Sequence, residues 1–478
     1  MTGHAQPRGI VRTLIDNSFL LVAGAVIALV WANVTHKQAE QALPEGQVTD
    51  QPLETSYTRF VNFDLASLWS EHDESHGDDK PSDEDSLSGD SVPATNDATT
   101  QASADDTTEG DSAHEGEESG HGGHHGLTIH FVINDILMAL FFAIAAKEVW
   151  ESLLPGGALS NPRKAATPLL ATVGGIAGPA LVYIGGCFLT GTWETFGKGW
   201  AVPCATDIAF SYLIARMIFG IGHPAIAFLL LLAIADDAAG LMILAVFYPQ
   251  APIEPQWFLL TLAAMALAFT LRRLKFQSHW IYLIGPGIMC WYSFYQANIH
   301  AALGLVPIIP LLPHAHTDLG LYAKDELHRS DTLNEFEHFW KTPVEFFLGL
   351  FGLANAGVVL SSLGTGTWLV LAGLLIGKPV GITLLTLFAE KGLKLEKPAG
   401  MDYRHVVTLG MVAGIGFTVA LFVSVAAFTT AGPVQDSVKM GALLSFAAAP
   451  LAIIIAKVLG VKPGLQTTSD DDTKAQTA

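Results

Sequence analysis

Charge is scarce in this chain: of 478 residues only 15% are charged while 50% are hydrophobic, against roughly 25% charged in ordinary soluble domains. That shortage excludes a conventional water-soluble globular enzyme. Basic residues are scarcer still, 25 Lys and Arg against 45 Asp and Glu for a formal net charge of −20. A surplus of that sign excludes a nucleic-acid partner, which needs a basic face to neutralise phosphate. Cysteine is nearly absent. The three that occur, Cys187, Cys204 and Cys290, lie inside apolar stretches, which excludes a disulfide framework or a cysteine metal cluster and leaves small buried side chains.

What the chain does have is long apolar runs. Crossing a bilayer as a helix takes about 20 predominantly apolar residues, and twelve such stretches can be read, at 14–34, 128–152, 166–189, 201–219, 223–247, 256–271, 279–295, 297–313, 343–362, 367–389, 404–429 and 438–459. The expected fold is therefore an all-α polytopic membrane protein of about twelve transmembrane helices. An even number puts both termini on one side. Eighteen Lys and Arg fall in connections on that side and five on the other, with Lys147 and Lys378 inside spans, so the positive-inside rule places both termini in the cytoplasm. The first run is longer than the ~7–15 residues of a signal-peptide core and is expected to be a retained helix.

Acidity is concentrated in one place, with 18 acidic residues and one basic residue, Lys80, between Asp64 and Glu118. Four regions follow: residues 1–34 with the first span, an external acidic loop at 35–126, a transmembrane core at 127–460 and a polar cytoplasmic tail at 461–478. The loop is poor in aromatics and rich in Asp, Glu, Ser, Thr and Gly, so disorder is expected. It ends in Gly120-His121-Gly122-Gly123-His124-His125-Gly126, with His72, His76 and His114 upstream. Without fixed spacing these histidines predict only weak binding of divalent metals, and no fixed metal site. A loop of this charge is expected to concentrate cations at the outer mouth.

An ionisable residue inside a span is expensive and marks function by default. Ala233-Ile234-Ala235-Asp236-Asp237-Ala238-Ala239-Gly240 sets two adjacent carboxylates near the middle of an apolar run with no basic neighbour in sequence. Adjacent helical positions point about 100° apart, so one carboxylate can face a water-filled cavity and the other a neighbouring helix. Two such carboxylates also resist simultaneous ionisation, which suits exchange of a cation for a proton. Lys378 has about ten apolar residues on each side and is the candidate partner of Asp236 or Asp237. The bland alternative is a snorkelling lysine.

Two spans carry signs of interruption. In Pro203-Cys204-Ala205-Thr206-Asp207, a proline breaks the run, and Asp207 is placed either to cap the restarted helix or to compensate charge. In residues 404–429, Gly410, Gly414, Gly416 and Thr418 fall together, and unwound backbone is tolerated in a bilayer only where it lines a cavity or is buried in protein. These are the middle members of spans three to five and ten to twelve, the pattern of inverted repeats with two crossed, interrupted helices. Opposed half-helix dipoles leave unpaired ends there, and Asp207 and Lys378 have the signs to offset them.

Taken together, Ile133-Asn134-Asp135-Ile136-Leu137-Met138-Ala139-Leu140-Phe141-Phe142, Gly199-Trp200 through Phe210, Asp236-Asp237, Asn298-Ile299-His300-Ala301, Ala354-Asn355-Ala356-Gly357, Gly377-Lys378-Pro379 and Gly414 to Thr418 resemble the NhaA-type sodium/proton antiporter family of the bacterial inner membrane. The resemblance implies a secondary active transporter, not an enzyme, exchanging cytoplasmic sodium or lithium for external protons electrogenically, with no cofactor. It implies Asp237 as main cation ligand, Asp236 as the group trading between a proton and Lys378, Thr206 as auxiliary ligand, Asp207 as compensating charge, and Glu148 and His300 as candidates for pH sensing. A solvated helix-end charge and a hydrogen-bonded core histidine are the plainer readings of those last two. The expected partners are sodium, lithium, protons and the lipid bilayer, with a homodimer as the candidate assembly and no nucleic acid. The family pattern after Glu148, Val-Lys-Arg-Glu-Leu, is replaced here by Val149-Trp150-Glu151-Ser152-Leu153, with Lys147 before it, so the pH set point does not transfer.

Three rival readings fit less well. An intramembrane aspartyl protease would need Gly-x-Gly-Asp around one aspartate, whereas Asp207 follows Ala205-Thr206 and Asp236 follows Ile234-Ala235. A buried lysine is also a poor neighbour for a dyad sharing one proton. A sodium-coupled solute symporter would need more polar groups in the spans, and a divalent-metal carrier more core histidines.

Overall fold

The computed structural model describes residues 19–42, 53–67, 127–220, 222–314, 331–395 and 400–461. Most of the acidic, histidine-rich loop and nearly all of the polar tail lie outside the described residues. Among those described, the chain is helical, with one isolated β-bridge between Asp64 and Thr128. It divides into two units, Asp64–Thr128 and the remainder. In the small unit the bridge is reinforced by Leu65 N–H donating to Leu127 O at 2.9 Å.

The large unit contains α1 (Phe19–Ala42), the short α2 (Ser56–Val61), α3 (Ile129–Leu153), α4 (Pro162–Thr190), α5 (Trp193–Cys204) and α6 (Ile208–Phe219). It continues with α7 (Pro224–Phe247), α8 (Pro255–Arg273), α9 (279–296), α10 (Ala301–Leu311) and α11 (Thr332–Asn355). The last four are α12 (Thr365–Lys391), α13 (Tyr403–Ala413), α14 (Phe417–Ala427) and α15 (Pro433–Val458). Seven of these are long and apolar enough to cross a membrane, and nine crossings result among the described residues if each bent pair, α5 with α6 at 53° and α13 with α14 at 49°, makes one. This is an all-α polytopic membrane protein.

The remaining three of the twelve apolar stretches are helical but shorter or more polar than a simple span. Prolines at 307 and 310 hold α10 to 3₁₀ turns, because each removes a backbone donor. Helix α11 begins at Thr332, eleven residues before the apolar run at 343; its first half carries Glu335, Glu337 and Lys341, so hydropathy alone passes over it. The fourth span likewise starts early, at Trp193.

Small residues set the packing. A Cβ on Gly178 would come within 2.9 Å of Gly381 Cα, and one on Gly377 within 2.6 Å of Pro179 Cα, so α4 and α12 pack backbone against backbone, as membrane helices do where small residues recur at every fourth position. Between α1 and α11, a Cβ on Gly352 would lie 2.6 Å from Leu21 O. At the centre of the unit α14 is buried along nearly its whole length.

Candidate ion-binding site

The two breaks meet. After Pro203 the chain runs extended through Ala205 to Asp207, and the Asp207 N–H, which has lost its helical acceptor, donates to Ile415 O at 2.7 Å. The Thr206 hydroxyl donates to Ala413 O at 3.3 Å and the Ser211 hydroxyl to Val412 O at 3.1 Å. Gly416 permits the approach, since a Cβ there would stand 2.9 Å from Ala205 O, and Gly414 would put its own 2.7 Å from Leu374 O. The unwound stretch of one break thus hydrogen-bonds to the backbone of the other, as irregular backbone in a bilayer must find partners.

Helix ends at the breaks carry partial charges, and two buried side chains face them. Asp207 accepts from Phe210 N–H at the start of α6 and from Thr418 N–H at the start of α14, each at 3.3 Å, and also from the Thr418 hydroxyl. One carboxylate therefore caps two positive ends. Lys378 follows a π-helical turn at Gly373–Gly377 and donates to Cys204 O, at the negative end of α5.

The same ammonium lies 3.0 Å from Asp236 Oδ2, with 0% and 3% of the two side chains exposed. The Thr206 hydroxyl and N–H face the Asp236 carboxylate as well. Asp237, one residue on, is half-buried and lines two cavities. The smaller, about 20 Å³, lies between Phe142, Ala205, Asp236 and Val419. The larger, 180 Å³, brings Asp237 together with Thr206, Asp207, Thr418 and Glu148, and extends to Glu337, Lys341 and Glu345 on α11. Within its lining the Lys341 side chain is 70% exposed.

Glu148 is exposed on this cavity wall, while its neighbour Lys147 is buried and paired with Glu151 and Glu337. His300 is not part of either cavity. Its Nδ1 is 3.3 Å from Asp135 Oδ1, and its ring lies 4.7 Å from that of Phe422. Beside it Asn134 and Asn355 exchange side-chain hydrogen bonds at 2.8 and 3.2 Å. Residue-by-residue reading of the sequence assigned no role to Asp135, Asn134, Asn355, Glu337 or Lys341. Polar residues within the apolar run at 133–135 were the available signal for the first two.

Asp237, with Asp236 and Thr206 within reach, offers oxygen ligands of the kind hard cations take, and the same carboxylates accept protons. Among the described residues no group of three or more His, Cys, Asp and Glu gathers as a metal site. Comparison with known proteins gives a consistent picture. The profile of the family described as Na+/H+ antiporter 1 matches residues 112–458. A Na(+)/H(+) antiporter NhaA from Jannaschia sp. (strain CCS1) is 51% identical over 357 residues, covering 70% of this chain and 84% of that protein. The proteins of the same description from Geotalea uraniireducens and Desulfitobacterium hafniense are 52% and 50% identical, each covering 70% of this chain and 87% and 86% of their own lengths.

Proposed function

The chain belongs to this Na+/H+ antiporter family, and on that premise we propose that it exports cytoplasmic sodium or lithium in electrogenic exchange for external protons, by alternating access at Asp236 and Asp237. The observation that carries the reading is the division between the two carboxylates: Lys378 engages Asp236 at 3.0 Å, and Asp237 opens onto the 180 Å³ cavity. A cation entering past Glu337 and Glu148 meets Asp237 first, with the Thr206 hydroxyl beside it. Its charge competes with Lys378 for Asp236, and protons on the same groups compete with the cation. Occupancy by one ligand excludes the other, so exchange needs no separate gate beyond the change of access. Electrogenic exchange requires more than one proton per cation, and the Asp236–Lys378 pair is the second titrating unit beside Asp237. Both termini are cytoplasmic in this reading, in a bacterial inner membrane.

The test is sodium-dependent proton movement in inverted membrane vesicles acidified by respiration and read with a pH dye. Addition of sodium or lithium to wild type should alkalinise the lumen, and the response should vanish in Asp236→Asn and Asp237→Asn. No response in wild type across about pH 6 to 9, a range that brackets neutrality, would sink the proposal.

A further inference from the structure

Tyr57 belongs to none of the groups described so far. It sits on the two-turn α2, yet it is only 5% exposed, and its hydroxyl is bound to a segment about 300 residues away. That hydroxyl shares its proton between the carbonyls of Leu353 and Ala354, both at 2.9 Å, and accepts from Gly357 N–H at 3.1 Å. The last four carbonyls of a helix have no partner within it; two of those ending α11 are taken up here by one phenol. Around it, Trp31 Nε1 donates to Ser56 Oγ at 3.0 Å and packs its ring on Tyr57 and Phe60 at 5.7 and 5.2 Å. Asn33 pins the following residues, donating to Val358 O at 3.0 Å and accepting from Leu360 N–H at 2.8 Å. Gly357 has no room for a side chain, because the Tyr57 ring fills the space a Cβ would need.

The helix end that Tyr57 holds carries Asn355, and Asn355 is bound to Asn134 on a π-helical turn of α3. From Asn134 a file of contacts leads inward. Asp135 faces His300, His300 lies against Phe422, Phe422 packs on Phe142 at 4.8 Å, and Phe142 lines the small cavity beside Asp236 and Asp237. Helix α11, at 24 residues, spans about 36 Å. Glu337 and Lys341 toward one end border the larger cavity, and Asn355, beside the Tyr57 anchor, stands at the other.

We propose that Tyr57 is a positioning residue of the transport cycle, whose hydroxyl holds the Asn355–Asn134 end of α11 closed and so favours the state in which the carboxylates open toward Glu337 and Lys341. The inference rests on the antiporter reading. A lock on one of two states acts on populations: the apparent affinity for an ion entering at the open end is scaled by the fraction of carriers open there. Loss of the lock lowers that fraction without touching the carboxylates.

The experiment measures sodium KM and kcat from the Glu337 side, in inverted vesicles, for wild type, Tyr57→Phe, Asn355→Ala and the double variant, per amount of folded protein. Tyr57→Phe keeps the ring and removes the hydrogen bonds. Its KM should rise roughly 3- to 10-fold, the ratio expected from ordinary hydrogen bonds, with kcat within about twofold. Asn355→Ala should raise KM in the same direction, and the double variant should be no worse than the worse single one, as for two parts of one lock. An unchanged KM in Tyr57→Phe, a fall in kcat alone, poor accumulation with normal KM in what does accumulate, or additive effects would each overturn the proposal. A wild type that moves no protons on sodium addition would sink the antiporter reading itself, whereas an active wild type with a flat KM in Tyr57→Phe sinks only this inference.

Discussion

Lys378 and Asp236 form an ion pair 3.0 Å long whose side chains are almost wholly sealed, while Asp237, the next residue, borders both cavities. Residues adjacent on a helix point about 100° apart, so one aspartate faces α12 and the other faces open space. Stranding one member of a buried ion pair costs about 3–5 kcal/mol. Asp236→Asn should therefore lower the thermal midpoint of the detergent-solubilised protein and stop transport, whereas Asp237→Asn should stop transport with the midpoint held or raised. Intrinsic tryptophan fluorescence on heating checks this, and equal losses of stability in both variants would refute the division of roles.

Lys378→Ala strands Asp236 and frees Cys204 O in the same step. A drop in midpoint of similar size is expected, together with loss of the sodium-triggered current recorded from proteoliposomes on a solid-supported membrane. Current per proton moved that matches wild type would count against Lys378 as a titrating member of the cycle.

Asp207 serves both restarted helices at once, accepting from Phe210 N–H on α6 and from Thr418 N–H and hydroxyl on α14. Loss of a capping acceptor costs about 0.5–2 kcal/mol per helix. Asp207→Ala should lose about twice what Thr418→Val loses in stability, and Asp207→Asn, which keeps an acceptor oxygen, should retain more than either. Chemical denaturation of the three variants in one detergent gives the ranking, and Asn ranking no better than Ala would show that the charge, not the cap, is what the breaks require.

Packing between α4 and α12 separates two glycines that look equivalent in sequence. A Cβ on Gly178 would come within 2.9 Å of the Gly381 backbone, whereas one on Gly175 would meet only Ile382 side-chain atoms at 3.3 and 3.5 Å and Lys378 Cε at 3.8 Å. Gly178→Ala should destabilise by about 1–3 kcal/mol, the usual range for overpacking, and reduce transport by displacing Lys378. Gly175→Ala should fold and transport close to wild type. Similar behaviour of the two would mean the helices separate more readily than backbone contact allows.

The architecture was legible because its signals are local. Apolar runs mark the spans, Pro203 and the glycines from Gly410 to Gly416 mark the bends, and Asp236-Asp237 stands out against an otherwise apolar helix. What stayed hidden depends on contacts between distant parts of the chain. Lys378 could have met either aspartate until the fold brought its ammonium to Asp236. Lys147 has an i,i+4 partner in Glu151 that spacing suggests, but its second partner, Glu337, is 190 residues away. Asn134 and Asn355 are 221 apart, and a hydropathy window that seeks apolar residues necessarily misses the charged first half of α11.

His223 carries the pH prediction. It precedes α7, and its Nδ1 accepts the Ala225 N–H at 3.1 Å while its ring stacks on Phe219 at 5.5 Å and on His405 at 4.9 Å. His405 is committed in the same way, its Nδ1 accepting the Asp402 N–H at 3.0 Å. Burial and the facing imidazole hold His223 below the ordinary histidine range. A base with a lowered pKa binds fewer protons folded than unfolded, so its contribution is present above the free imidazole value of about 6.5 and is lost as pH falls below it. Protonating Nδ1 would also turn the cap's acceptor into a donor at the positive end of the helix that carries Asp236 and Asp237. The thermal midpoint should therefore fall between about pH 7.5 and about pH 5.5, on either side of that value. His223→Asn keeps a capping oxygen and cannot titrate there, so its midpoint should fall less over the same interval. Equal slopes in the two proteins would remove His223 as a source of acid sensitivity.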